Sequence, residues 1–314
     1  MSDSKGPFYY KENRLKKLRA FCAAAKCGSI SQAADSLFLS QPTVSLQIQA
    51  LERDMKVTLF ERRGPKITLT PEGAVLSQIA QPLVDGIEGL EESFNAHFGR
   101  LESGELNIAA GESTTLYILP NFIKQFAETY PGIQIKLHNV TGRDGMAMLR
   151  ADEADLAVGS MLEVPDDVIY QESMSFTQTL ITPLEHPLSK KDKITLKDIV
   201  PYGLILPPRH LATWRFLELV FSQSGLNFNV ALEAGGWEII KKYVSLGMGI
   251  SIVTDVCLTG QEFLARKPLD DYIPNRSYGI VVRKGKFISP QARAFIDMMD
   301  SKFFKSAGAE LSIL

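Results

Sequence analysis

The sequence predicts an α/β chain in three parts: a small helical head ending in a β-hairpin, a long connecting helix, and a body of two α/β lobes. Three observations carry this. Charge is uneven: Met1 to Thr70 holds 12 Lys and Arg against 6 Asp and Glu, and the remainder holds 22 against 30. Apolar residues keep helical spacing through most of the first hundred positions, and short apolar strands then alternate with helices. The length of 314 residues also exceeds one ordinary domain.

Composition narrows the class. Hydrophobic residues make up 45% and charged residues 22%, as in ordinary globular proteins. The apolar runs are too short for a membrane span. The opening MSDSKGPFYYKENRLKK is polar, so the expected location is the cytoplasm, with no membrane partner. Cys22, Cys27 and Cys257 fit neither a disulfide framework nor a C-x-x-C pattern and read as packed, reduced thiols. With four scattered histidines, no metal site is expected.

In the head, Leu15, Leu18, Phe21, Cys22 and Ala25 place a first helix at about 13–26, stopped by Gly28. Ser31 is read as the N-cap of a second helix, whose Ala33 and Ala34 allow another helix to cross closely. Ser40 caps a third helix, where Pro42 is tolerated because first-turn amides have no partner to lose. Val44, Ile48, Leu51 and Met55 form its buried stripe. Its other side presents Gln41, Pro42, Ser45, Leu46, Gln49 and Arg53, flanked by Thr43 and Gln47. Amides and hydroxyls can donate to and accept from base edges, and Pro or Leu can touch a thymine methyl. A helix meant for a major groove needs such a neutral front, with cations around it rather than on it. The next run, LFERRGPKITLTPEG, reads as a hairpin whose tip carries Arg62, Arg63 and Lys66, placed to hold phosphates or enter a minor groove.

Together, GSISQAADSLFLSQPTVSLQIQALERDMKVTLFERRGPKITLTPEG resembles the winged helix-turn-helix of LysR-type transcriptional regulators. The matching elements are the paired alanines, Ser-Gln-Pro opening the recognition helix, Ile-x-x-Leu-Glu, Leu-Phe-x-Arg and Leu-Thr-Pro-x-Gly, in order and at the family's spacing. The resemblance implies double-stranded DNA as partner, with Gln41, Pro42 and Ser45 facing bases. Thr43, Arg53, Arg63 and Lys66 would contact or approach the backbone. Ser31, Leu46, Gln49 and Arg62 complete the expected DNA-binding set. Leu46 stands where the family often has Arg, so a guanidinium contact to guanine is missing and a different or more A·T-tolerant half-site is expected.

Thr70-Pro71-Glu72 starts the connecting helix with a cap, a first-turn proline and an acid at the positive helix end. Leu76, Ala80, Leu83, Ile87, Leu90 and Phe94 follow at heptad spacing and are read as a self-dimerisation seam over 71–99. Pro82 inside it should remove one hydrogen bond and bend the helix. The resemblance implies the same dimerising linker, a homodimer or homotetramer, and RNA polymerase as a further partner. Residues 100–104 read as a hinge.

From Glu105 the β–α alternation implies parallel sheet, in two lobes joined by strands near 177–182 and 278–282. Lobe I is expected at about 105–178 and 283–314, and lobe II at about 179–282. The pattern resembles the family's effector domain, which shares the periplasmic solute-binding-protein (type 2) fold. The run YILPNFIKQFAETYP followed by ITPLEHPL resembles the family's sulfur-assimilation branch. Such bodies bind ligands in the cleft, at strand carboxyl ends and helix N-termini. Ser113, Thr114, Thr115, Thr141, Ser160 and Trp237 converge there by topology and suit a small anionic effector. Catalytic signatures are missing: neither a P-loop, a Gly-x-Ser-x-Gly elbow nor a metal-ligand cluster is present, so no enzyme and no cofactor are expected. A solute-binding protein or small enzyme on the same fold is the alternative, and neither explains the first 70 residues.

Overall fold

The computed structural model describes residues 13–63, 66–98 and 101–306, without the side chains of Arg62 and Arg63. Packing divides the chain into two units. Among the described residues, one comprises 13–101 with Gly285–Pro290, and the other comprises Glu102–Lys284 with 291–306.

In the first unit, α1 (Arg14–Cys27) starts where the Asn13 side chain accepts the Lys16 N–H, and it ends at left-handed Gly28. The second helix, α2 (Ile30–Ser36), is capped by Ser29, not by Ser31 as the sequence suggested. Gly28 turns the chain and Ser29 is extended, so its hydroxyl meets Gln32 N–H; Ser31 lies exposed in the first turn. Helix α3 (Gln41–Met55) is capped by Ser40. Val44, Ile48 and Leu51 are buried as expected, whereas Met55, in the last turn, is exposed. Strands β1 (Phe60–Arg63) and β2 (Lys66–Leu69) form the hairpin, with Arg63 opposite Lys66. Phe21 and Phe60 pack with ring centroids 5.4 Å apart and tie α1 to this wing.

The connecting helix is not continuous. It runs as α4 (Pro71–Glu88), unbroken at Pro82, and is interrupted at Gly89, before α5 (Leu90–His97). Glycine is the costliest ordinary residue to hold helical. The Phe287 ring also lies on this site: a Cβ at Gly89 would come 2.9 Å from it. The seam shifts too. Ala80 is buried in the core of the first unit with Val84, and Leu76 packs against that core. The apolar residues left exposed on α4 and α5 are Val75, Ile79, Leu83, Ile87, Leu90 and Phe94.

In the second unit, β3 (Gly104–Ala110) leads to a π-helical turn (Thr114–Ile118) that continues into α6 (Leu119–Thr129). Then come β4 (Ile133–Asn139), α7 (Gly142–Arg150), β5 (Leu156–Gly159) and β6 (Val168–Phe176). Thr177 leads to β7 (Gln178–Thr182), and then α8 (Leu196–Ile199), β8 (Gly203–Leu206), α9 (Ala212–Gln223), β9 (Asn229–Glu233), α10 (Trp237–Ser245), β10 (Ser251–Thr254) and β11 (Ala265–Pro268). Strand β12 (Arg276–Arg283), α11 (Pro290–Met299) and α12 (Phe303–Ser306) complete the chain's described elements.

Lobe I is built on the sheet β4-β3-β5-β12-β6, in which β3, β4 and β5 are parallel. Lobe II holds β10-β7-β11 and the parallel pair β8-β9, linked by a bridge between Leu204 and Ile250. One boundary is corrected: 276–282 belong to lobe I, because all of β12 pairs with β6. The second crossing therefore falls between β11 and β12. The lobe cores differ in character: Phe126 stacks edge-on against Phe295 in lobe I, while Trp214, Phe221 and Phe228 cluster in lobe II.

Candidate functional site

The front of α3 is exposed and chemically unspent. Gln41, Pro42, Leu46, Gln49 and Arg53 are exposed, Leu46 to 60%. Ser45 is half-buried and holds Gln49 loosely, Nε2 donating to Oγ at 3.4 Å. Thr43 is half-buried at the helix start: its N–H donates to Ser40 Oγ at 3.3 Å, and the two hydroxyls lie 2.7 Å apart. Such a cap is worth ~1 kcal/mol and fixes the angle at which the front is presented.

Acidic charge is kept off this front. Glu52 turns inward and accepts the Leu59 N–H at 2.8 Å, locking the wing to the helix, while Asp54 pairs with Lys17 at 2.5 Å. Lys66 is exposed on the wing. The side chains of Arg62 and Arg63, and all of Gly64 and Pro65, lie outside the described part of the structure. At the linker start, Thr70 Oγ1 donates to Thr58 C=O at 2.7 Å and accepts Gly73 N–H at 3.0 Å. A Cβ at Gly73 would lie 2.1 Å from Leu59 C=O, so this helix meets the wing at a distance only glycine permits.

In the second unit, the expected effector residues have different fates. The chain turns helical at Glu112, one residue before Ser113, so Ser113 and Thr114 are not caps; Ser113 is half-buried and Thr114 buried. Thr115 is the informative one: its Oγ1 is buried without a hydrogen-bond partner. Thr141 caps α7, accepting Asp144 N–H at 3.3 Å and donating to its carboxylate at 2.7 Å, so its hydroxyl is committed. Ser160 is half-buried after β5. Trp237 is buried with Ile240, Val244 and Cys257 and serves the core of lobe II.

Sequence reasoning missed what holds the two lobes together. The Tyr117 hydroxyl, from lobe I, donates to the Glu238 carboxylate of α10. Burial and that bond push the Tyr117 hydroxyl pKa well above the tyrosine range. Lys241 Nζ sits 5.3 Å from the Tyr117 ring centroid and bonds Glu238 at 2.7 Å, Glu262 at 2.9 Å and Cys257 C=O at 2.8 Å. Burial opposes ionisation of Glu262, but the Thr259 N–H and Lys241 outweigh it and hold its pKa at about 2. Burial likewise opposes the Lys241 charge, and Glu238 and Glu262 outweigh it, raising that pKa. Gly236 completes the seam: its φ is +82°, and a Cβ there would lie 2.5 Å from Glu112 Oε1. A lysine inside the stripe Trp237, Ile240, Val244 was the available signal, since a charge at a buried helical position needs partners from elsewhere.

These two parts, a winged helix-turn-helix and a two-lobed α/β body in one chain, define a transcription regulator. Residues 15–74 match the model described as "Bacterial regulatory helix-turn-helix protein, lysR family", and residues 99–303 match "LysR substrate binding domain". The chain belongs to the LysR family of DNA-binding transcriptional regulators and is not an enzyme. It is 30% identical over 292 residues to the transcriptional activator CmpR of Synechocystis, covering 92% of this chain and 95% of the relative. It is 29% identical over 274 residues to the regulator SsuR of Burkholderia cenocepacia, covering 86% and 89%. A full-length OxyR variant from Pseudomonas aeruginosa shares the fold, with TM-score 0.67 at 20% identity over 94% of this chain and 95% of that one. Among the described residues, no helix is long and apolar enough to cross a membrane and no metal-ligand cluster occurs.

Proposed function

We propose that this regulator reads a pseudo-palindromic operator in the cytoplasm as a homodimer, two of which pair into a tetramer, with RNA polymerase as a further contact. Gln41, Pro42, Ser45, Leu46 and Gln49 take the base edges. Thr43, Arg53, Lys66 and the wing arginines Arg62 and Arg63 take the backbone. The observation that carries this is the acid-free front of α3, whose own carboxylates Glu52 and Asp54 are turned inward and paired respectively. The dimer seam is the exposed stripe Val75, Ile79, Leu83, Ile87, Leu90 and Phe94, extended over both halves of the interrupted helix. A small anionic metabolite bound between the lobes near Ser113, Thr115 and Ser160 biases lobe closure, with a coupling of ~1–3 kcal/mol to DNA affinity.

A genome-wide footprint of bound DNA tests the reading. Protected half-sites one helical turn apart or a multiple of it are expected, and failure to protect any DNA overturns it. Ile79→Asp should shift the protein from dimer to monomer in sedimentation while its circular dichroism is retained. An unchanged dimer would move the seam elsewhere.

A further inference from the structure

Arg276 opens β12 and is only 9% exposed, yet it has no carboxylate within ion-pair distance among the described residues. Its Nη1 donates to Thr213 Oγ1 at 2.6 Å, while its Nε is buried without a partner. The Tyr278 ring, 5.8 Å from the guanidinium carbon, offers a face but no acceptor. Buried guanidinium groups are ordinarily paired, because an unpaired buried charge is strongly destabilising. A charge kept in this condition implies a counter-charge that arrives with a ligand.

The register places the group at the ligand-binding edge of lobe I. Gly279 pairs with Gly159 at the carboxyl end of β5, so Arg276 stands three residues beyond that end. Ala110 pairs with Val158, which brings the end of β3, and the turn that carries Thr115, to the same edge. Two orphaned polar groups, Arg276 Nε and Thr115 Oγ1, thus belong to one edge of one sheet. From lobe II comes Thr213, in the first turn of α9, a helix whose start lacks a side-chain cap.

Building on the proposal that the lobed body holds the effector, we infer that Arg276 is its charge-recognising residue. The site takes an oxyanion (carboxylate, sulfate or phosphate) on the guanidinium fork, with Thr115 as a neutral donor and the amides at the start of α9 as further ones. A planar fork with two adjacent N–H groups matches the spacing of two oxyanion oxygens, which a lysine ammonium cannot do. Because Arg276 is in lobe I and its hydroxyl partner in lobe II, occupancy would weigh directly on how the lobes close.

The test is calorimetric titration of the full-length protein with sodium sulfate, inorganic phosphate and acetate, at ionic strength fixed with chloride. Saturable binding of at least one oxyanion to the wild type is expected, weakened tenfold or more in Arg276→Gln and by less in Arg276→Lys. Circular dichroism confirms folding of each variant. If Arg276→Gln does not fold, Arg276→Lys decides, since it keeps the charge and can reach Thr213 but has no fork. Binding within twofold of wild type in the deciding variant overturns the role of Arg276, and so does the absence of oxyanion binding to the wild type. Thr115→Val separates the two proposals. If it weakens binding while Arg276→Gln does not, the cleft stands and Arg276 falls. If oxyanion binding survives both changes, the cleft reading falls with it.

Discussion

The front of α3 and the seam between the lobes solve opposite problems. The helix front carries no acid, and most of its side chains are free, with Ser45 and Gln49 sharing one long hydrogen bond. The seam is dense with charge, and nearly all of that charge is spent: Lys241 alone satisfies Glu238, Glu262 and a backbone carbonyl. A surface that must read a polyanion keeps its donors and acceptors available and lets the cations sit at the rim. A seam that must hold two lobes in register consumes its charges internally. Charge density alone therefore says little about where a partner binds; what counts is which hydrogen-bonding groups remain unspent.

The sharpest way to break this contrast is to remove the hub of the seam. Lys241→Met removes the cation that Glu238 and Glu262 share, but Arg266 and the Thr259 and Gly260 N–H groups still serve Glu262. The loss therefore falls at or below the low end of the ~3–5 kcal/mol of a buried pair broken from one side. Denaturant unfolding should show that loss in the second unit. Full stability in the variant would mean the seam is ornamental.

A similar loss follows from acid. The Glu262 pKa is lowered from 4.5 to about 2, so its folded form releases the proton more readily than the unfolded chain does. Its stabilisation is complete above pH 4.5 and disappears as pH falls through about 2. At 1.36 kcal/mol per pKa unit this is worth ~3 kcal/mol. Thermal melts from pH 6 down to 2.5 should show a decline in wild type that is shallower in Glu262→Gln.

These two regions also differed in how far the sequence revealed them. The head was legible because its logic is local: caps, small residues and the apolar stripe of α3 all lie between Ser29 and Leu51. The errors there were local too. Ser29 displaced Ser31 as cap because left-handed Gly28 turns the chain directly into α2, so the helix starts two residues earlier than the pattern implied. Leu76 and Ala80 were assigned to the dimer seam because a heptad does not say which side the domain's own core will occupy. The lobe seam was not legible. Tyr117 meets Glu238 across 121 positions and Arg276 meets Thr213 across 63, and only the sheet register brings them together. Thr141 looked like a ligand contact because a cap and a binding hydroxyl carry the same residue signature.

The smallest effects decide whether the α3 front reads bases at all. Leu46→Arg should favour a guanine-bearing half-site by ~1–3 kcal/mol, measured as relative affinity over a set of single-base operator variants. Because the substitution also adds a cation, a general rise in affinity proves nothing; the evidence is a change in the order of preferred sites. Lys66→Ala on the wing is the counterpart. It should lower affinity nearly equally for every operator variant and flatten the slope of log affinity against log salt by ~1, as expected when one phosphate contact is lost. The two variants must separate in this way for the division of labour to hold. If Lys66→Ala reorders the preferred bases, the wing is reading sequence. If Leu46→Arg alters only the salt slope, α3 lies along the backbone, and its neutral front needs another explanation.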